Sequence, residues 1–126
     1  MSVPAGLPEG LGALEGIDLA KGLVNMANMP SIYLKILRNF VKMITNDGDK
    51  LANFLSGNDI ENFTILVHGY KSALASIGVD GLSIQARDLE MAGKGGDRAF
   101  IDVNFPAFFS GLKDFTVKLD AIVNAQ

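Results

Sequence analysis

The chain has 126 residues, a formal net charge of −3 and 48% hydrophobic residues. These values are typical of one globular domain with a buried core, and they exclude a disordered chain. The acidic balance argues against nucleic acid as a partner, because contacts to phosphates need a basic surface. The sequence contains no cysteine, which excludes disulfides, thiolate chemistry and cysteine-based zinc sites.

Membrane and export signals are missing from the sequence. No apolar run approaches the roughly 20 residues that span a bilayer. The N-terminus lacks the basic start and the apolar run of a signal peptide. We therefore expect a soluble, cytoplasmic protein without a membrane partner.

Glycine and proline are frequent in residues 1–16, which predicts a flexible N-terminal lead-in followed by a single domain over residues 17–126. From there on, apolar residues recur with helical spacing and show no strand-like alternation. Asp18 is a suitable N-cap for a short helix that ends near Ala27.

A much longer helix is predicted from Pro30 to about Leu55. The tetrapeptide NDGD at residues 46–49 resembles a turn. However, Ile44 and Leu51 on either side of it are one heptad apart, so the apolar face stays in phase. We therefore predict one helix that is bent at Gly48. Its apolar positions are Tyr33, Leu37, Phe40, Ile44, Leu51 and Leu55.

A third helix is predicted to end near Ile77, where Gly78 stops it. Its start is indicated by Asn58 and Glu61, which have the spacing of a capping box, and Gly57 ends the preceding helix.

Asp80 is the predicted cap of a fourth helix that runs to about Lys94, and Asp97 is the predicted cap of the last helix. The apolar pattern of the last helix continues through Pro106, which should kink the helix or shorten its start without ending it. Its apolar positions are Ile101, Phe105, Phe108, Leu112, Phe115, Leu119 and Ile122. The predicted fold class is all-α, an up-down-up-down four-helix bundle with a short additional N-terminal helix.

The single histidine of the chain, His68, belongs to the predicted third helix. At about 100° per residue, it lies roughly 140° from the centre of the apolar stripe, so it faces outward. The stripe is formed by Phe63, Leu66, Val67, Tyr70, Leu74 and Ile77. The outward neighbours are small: Thr64, Gly69, Ser72, Ala75 and Ser76. An ordinary solvated face would carry long charged side chains, because serine and glycine are poor helix formers. We interpret this face as a platform against which another protein can lie.

Lys71 follows His68 by three residues, so the two side chains share one face of the helix. A neighbouring cation disfavours the imidazolium form and keeps the ring neutral. A neutral imidazole is a competent nucleophile at neutral pH. The lysine would also balance the charge of an anion attached to the ring.

This spacing resembles the histidine phosphotransfer (HPt) domains of two-component phosphorelays. The family pattern is a histidine followed by lysine at +3, a small residue (usually glycine) at +4 and glycine at +10. Apolar residues follow at +14 and +21, alanine at +18 and Glu or Gln at +22. This sequence supplies His68, Lys71, Ser72, Gly78, Leu82, Ala86, Leu89 and Glu90 at those positions. The likeness covers about residues 17–124; its departure is Ser72, where the family usually has glycine.

The resemblance implies a role for each of these residues. His68 would carry a phosphoryl group on Nε2, and Glu90 would accept a hydrogen bond from Nδ1–H and fix the tautomer. Lys71 would stabilise the phosphoryl oxygens, and Lys94 would add positive field. Arg87 and Lys94 flank Glu90 on one helix, so a surface salt-bridge set is the alternative for these three residues.

The resemblance also implies a phosphoryl carrier that is not itself an enzyme. It would accept the group from an aspartyl phosphate on a receiver domain and pass it to the aspartate of another receiver. The receiver would supply Mg²⁺ and the acidic pocket, so the chain needs no cofactor or metal of its own. The expected partners are response-regulator receiver domains and a hybrid sensor kinase. They would dock on a monomer, on the platform together with Ile36, Asn39 and Met43 of the second helix.

Two other functions fit the same sequence. One is an HPt-like adaptor that binds a receiver or kinase without carrying phosphate. The other is the phosphorylated input module of a chemotaxis-type histidine kinase. No phosphate-binding loop of a nucleotide site is present, so we do not expect phosphorylation from ATP by the protein itself.

Overall fold

The computed structural model describes residues 3–125 and is all-helical over that range, as predicted. The helices are α1 (Leu19–Asn25), α2 (Pro30–Asp47), α3 (Asp49–Ser56), α4 (Ile60–Ile77), α5 (Asp80–Gly95) and α6 (Arg98–Val123), preceded by a 3₁₀ helix at Glu9–Ala13. None of the helices in this part of the chain has the length and apolar character needed to cross a membrane.

All six α-helices contribute to one hydrophobic core. The most extensive packing is between α4 and α5; α5 also packs on α6, α6 on α2, and α1 and α3 on α4. Aromatic rings join the layers edge to face. The centroids of Phe63 and Phe105 are 5.6 Å apart, and those of Phe40 and Phe115 are 6.4 Å apart. Since each fully buried large apolar side chain stabilises the fold by about 1.5–3 kcal/mol, this core is the main source of stability.

The predicted long second helix is divided at Gly48 into α2 and α3. Gly48 keeps right-handed helical angles, with φ −57° and ψ −37°, and its N–H donates to the carbonyl of Ile44 at 2.8 Å. The next turn is tighter, because the N–H of Leu51 donates to Gly48 three residues back, at 3.2 Å. Ile44 and Leu51 are both buried, so the apolar face remains in phase across the interruption.

Two of the predicted N-caps are confirmed. The side chain of Asp18 accepts a hydrogen bond from the N–H of Lys21 at 3.1 Å, and that of Asp97 accepts one from Phe100 at 3.1 Å. Each bond satisfies a backbone donor that would otherwise lack a partner in the first turn.

The predicted cap of α4 at Asn58 is wrong by one residue. Asp59 caps the helix instead and accepts from the N–H of Asn62 at 3.2 Å. Asn58 adopts φ 56° and forms the turn before the helix, a left-handed conformation that asparagine tolerates. Its side-chain oxygen accepts a hydrogen bond from Arg98 at 3.1 Å and ties this turn to the start of α6.

The predicted cap of α5 at Asp80 is also displaced. Val79 occupies the N-cap position without a side-chain bond, and Asp80 is the first helical residue. At that position its carboxylate interacts favourably with the positive end of the helix dipole. It also accepts hydrogen bonds from Lys21 Nζ at 2.8 and 2.9 Å.

Gly78 ends α4 as predicted, with φ 92°. A Cβ at this position would overlap the carbonyl oxygen of Asp18, so glycine is required by both the conformation and the close approach. The N–H of Asp18 donates to the Gly78 carbonyl at 2.8 Å, and the buried hydroxyl of Tyr33 donates to that of Ile77 at 2.6 Å. These bonds fix α1 and α2 to the end of α4.

Helix α6 continues through Pro106, as predicted. The proline is exposed, so its ring does not disturb the core. The predicted stripe is buried through Leu119, but the last buried position is Val123, and Ile122 is only half-buried.

The N-terminal segment adds two leucines to the core. Leu7 and Leu11 are buried, and Gly10 lies against Ile122 of α6. The composition of the segment predicts a flexible lead-in, whereas residues 3–16 lie along the domain because their leucines cover apolar side chains.

Candidate functional site

His68 lies on the outward side of α4, with its side chain 58% exposed. The opposite side of the helix faces the core, and its buried residues are Phe63, Val67, Tyr70, Leu74 and Ile77. The sequence also predicts Leu66 in this stripe, but it lies at the edge and is half-buried. The imidazole is therefore accessible from solvent and projects from a helix that the core holds rigidly.

Glu90 reaches His68 from the neighbouring helix, α5. Its side chain is only 4% exposed, and Oε2 lies 2.7 Å from Nδ1 of the imidazole. An ionised carboxylate can only accept hydrogen bonds, so Nδ1 carries the proton. In the neutral ring this leaves Nε2 unprotonated, with its lone pair available for reaction.

The Glu90 carboxylate is kept ionised by the groups around it. Burial raises its pKa, but hydrogen bonds from Lys71, Lys94 and His68 outweigh that effect and lower the pKa to about 2. The negative charge next to the imidazole is therefore permanent at physiological pH.

The cations predicted for the site differ in their contacts. Lys71 Nζ donates to Glu90 Oε1 at 2.7 Å, and its side chain is 28% exposed. Lys94 Nζ lies 3.0 Å from Oε2, and its side chain is 67% exposed. Arg87 does not join this cluster, since it pairs with Asp88 at 3.2 Å. The buried carboxylate thus holds two ammonium groups beside the imidazole.

The platform residues after His68 leave the surface open. Gly69 is exposed, and a Cβ there would meet nothing within 4 Å. Ser72 is exposed, but its hydroxyl donates back to the His68 carbonyl at 3.3 Å, while Ser76 donates to that of Ser72 at 2.9 Å. Ala75 is half-buried. The hydroxyls are satisfied within the helix, so this strip is low and weakly polar.

Thr64 belongs to the contact between α4 and α5 and not to the open strip. Its hydroxyl donates to the carbonyl of Ile60 at 2.7 Å. A Cβ on Gly93 of α5 would overlap its Oγ1, so the two helices approach closely at this point. Gly93 follows Glu90 by three residues, and the close approach explains why that carboxylate reaches His68. Gly93 was not among the predicted site residues, because no local sequence pattern indicates a close approach of two helices.

The three predicted docking residues of α2 lie beside α4. Ile36 and Met43 are half-buried, and Asn39 is exposed. With Ala73 and Ser76 of α4 they border a shallow depression of about 300 Å³. The surface from His68 across α4 to α2 therefore carries small and apolar side chains.

Ile65 is a further candidate for contact with a partner and was not predicted from the sequence. It is 62% exposed and precedes His68 by three residues, which places both on one side of α4. Its spacing from the histidine was the available signal.

Comparisons of the chain with models of protein families, with curated proteins and with solved structures find no match. The interpretation of the site therefore depends on its geometry. An exposed imidazole is hydrogen-bonded through Nδ1 to a buried, ionised carboxylate.

Proposed function

We propose that the protein is a histidine-containing phosphocarrier of a two-component phosphorelay, with the up-down-up-down bundle topology of an HPt domain. It accepts a phosphoryl group on His68 from the aspartyl phosphate of one receiver domain and passes it to the aspartate of another. The observation that carries the proposal is the 2.7 Å contact between Nδ1 of the exposed His68 and the buried carboxylate of Glu90.

The geometry suits nucleophilic attack by Nε2. Its lone pair forms a bond to phosphorus while the bond from phosphorus to the aspartyl oxygen breaks, and the aspartate leaves as a carboxylate. The proton on Nδ1 stays in place, so the phosphorylated ring carries a positive charge. The ionised Glu90 stabilises this charge, because its carboxylate is already oriented toward the ring.

The two lysines supply positive charge for the phosphoryl group. Lys71 and Lys94 are both held by Glu90 within 3.0 Å. Lys94, the more exposed of the two, can turn toward the phosphoryl oxygens with little change in hydration. The arriving anion thus meets a cluster in which two cations share one carboxylate.

The partner covers a surface that we call the docking face, formed by His68, Gly69 and Ser72 of α4 and Ile36, Asn39 and Met43 of α2. Its low profile allows a receiver to bring its aspartyl phosphate to Nε2. Mg²⁺ and the acidic pocket belong to the receiver and neutralise charge in the transition state. The carrier works as a cytoplasmic monomer with protein partners only.

A transfer assay tests the proposal. Receiver domains from the same genome are labelled by a small phosphodonor and incubated with the protein, which should acquire acid-labile, alkali-stable label. His68→Gln should take none while keeping its helical circular dichroism spectrum. Label that persists in His68→Gln would refute the site. A receiver that binds without transferring label would identify the adaptor function instead.

A further inference from the structure

Tyr70 of α4 has a buried hydroxyl without a partner. The residue is 1% exposed, and its hydroxyl oxygen, cut off from solvent, has no hydrogen-bond partner among residues 3–125. The other tyrosine, Tyr33, is equally buried but donates to the carbonyl of Ile77 at 2.6 Å. Buried hydroxyls are normally paired, so the state of Tyr70 needs an explanation.

Tyr70 lines a depression of about 360 Å³ where α2, α3 and α4 meet. Its apolar walls are Met43, Phe54, Ile65 and Leu66, and its polar residues are Asp47, Lys50 and Asn62. We call this depression the anchor pocket. Mainly apolar walls around a single unpaired polar group are typical of a site that binds and orients a side chain or a small molecule.

The anchor pocket is continuous with the docking face. Gly69, which directly follows His68, lies on its border, and Met43 belongs to both. Ile65, on the side of α4 that carries His68, is a third link between them. A protein that brings a reacting group to His68 therefore also covers the pocket.

We propose that the phosphorelay partner inserts an apolar side chain into the anchor pocket and presents a neutral carbonyl oxygen that accepts a hydrogen bond from the Tyr70 hydroxyl. This inference rests on the proposed function and names the chemistry by which the same face selects its partner. An apolar side chain next to a free backbone carbonyl has the required combination.

The charges around the hydroxyl define which acceptor it takes. Burial and then the Asp47 carboxylate raise the pKa of Tyr70 to about 12, so the hydroxyl keeps its proton and donates. The same carboxylate, which pairs with Lys50 at 3.1 Å, disfavours a second anion in an apolar pocket. A neutral acceptor fits both conditions.

We expect a partner to reach the buried hydroxyl through movement of side chains at the pocket. Met43 lies on the wall of the pocket, and methionine changes rotamer easily because its side chain is unbranched. Such changes are common at protein interfaces. A partner that lacks the acceptor would still leave the hydroxyl unpaired, and this penalty discriminates between receivers.

The test uses a receiver domain that transfers label to His68, or one that binds without transfer, and measures its dissociation constant by titration calorimetry. Tyr70→Phe should weaken binding by about 2- to 12-fold, the usual net value of one hydrogen bond. Phosphorylation of His68 by phosphoramidate, which needs no partner, should be unchanged. Tyr33→Phe is the matched control, since it removes a buried hydroxyl that already has a partner within the fold, the carbonyl of Ile77, and it should alter stability but not affinity.

Ile65→Ala provides a second variant, because it removes a pocket wall without touching the hydroxyl, and it should also weaken binding. Unchanged affinity in Tyr70→Phe would overturn the inference. If that result comes with normal transfer to wild-type protein, the proposed function stands and only the inference fails. Absence of both transfer and binding with every receiver would defeat the two together.

Discussion

Oε2 of Glu90 lies 2.7 Å from Nδ1 of His68, across the contact between α5 and α4. The carboxylate is buried and the imidazole is exposed, so the protein contributes a fixed charge on one side of the ring and leaves the other side to solvent. This relationship sets the tautomer, and it stabilises positive charge on the ring.

Glu90→Gln should slow phosphoryl transfer to His68 by about 100-fold, within the range for a positioned proton-holding group. The amide removes the negative charge and can present an N–H to Nδ1, which would favour the wrong tautomer. Single-turnover transfer from a labelled receiver measures the rate. A ¹⁵N spectrum of the imidazole is an independent readout: wild-type protein should show the Nδ1–H tautomer, and the variant should show a mixture. An unchanged rate and an unchanged tautomer would show that Glu90 does not orient His68 and contributes only to the fold.

Acid should destabilise the protein partly through Glu90. Its folded-state pKa of about 2 lies below that of an ordinary carboxyl group. The group therefore stabilises the fold above its unfolded pKa, and this contribution disappears as the pH falls from about 5 to about 2. Urea unfolding across this window should show a loss on the order of 3 kcal/mol from Glu90.

Glu90→Gln is the control for this titration. The wild-type protein should exceed the variant in stability most clearly near pH 6, and the difference should shrink as the pH approaches 2. A difference that does not depend on pH would contradict the assigned pKa.

Local sequence patterns predicted most of the fold. Asp18 and Asp97 were recognised as caps because an N-cap bond involves residues three apart. The outward direction of His68 followed from the helical repeat alone. The predicted caps at Asn58 and Asp80 are each one residue from the observed N-cap. Asp59 satisfies the same local rule as its neighbour Asn58, whereas α5 has Val79 as its N-cap and uses no side-chain cap.

Long-range packing was beyond these patterns. Gly10, next to the buried Leu11, lies against Ile122 of α6, more than 100 residues away in the chain, and no local period encodes this contact. The pairing of Glu90 with His68 was implied by the family resemblance and not by spacing, because residues 22 apart on different helices share no helical face. The interhelical approach at Gly93 was missed for the same reason.

Lys94→Gln should shorten the lifetime of phosphorylated His68 by several-fold, since the ammonium next to Glu90 is well placed to neutralise phosphoryl oxygens. Stability should change by less than about 1 kcal/mol, because the side chain is largely exposed. Arg87→Gln on the same helix removes an equal charge that pairs with Asp88, and it should leave the lifetime unchanged. Equal effects of the two variants would indicate that the net charge of the protein, and not a specific contact of Lys94, determines the lifetime.

Gly93→Ala should separate α5 from α4 and disturb the site without altering any charged group. The new Cβ would overlap Oγ1 of Thr64, which should cost about 1–3 kcal/mol of stability despite the better helix propensity of alanine. Transfer to His68 should slow, because Glu90 moves with its helix. Gly95→Ala is the matched control, since its Cβ would meet nothing within 4 Å. Combining Gly93→Ala with Thr64→Ala should restore part of both the stability and the rate; if the double variant were no better than the single one, the overlap with Thr64 would not be the cause.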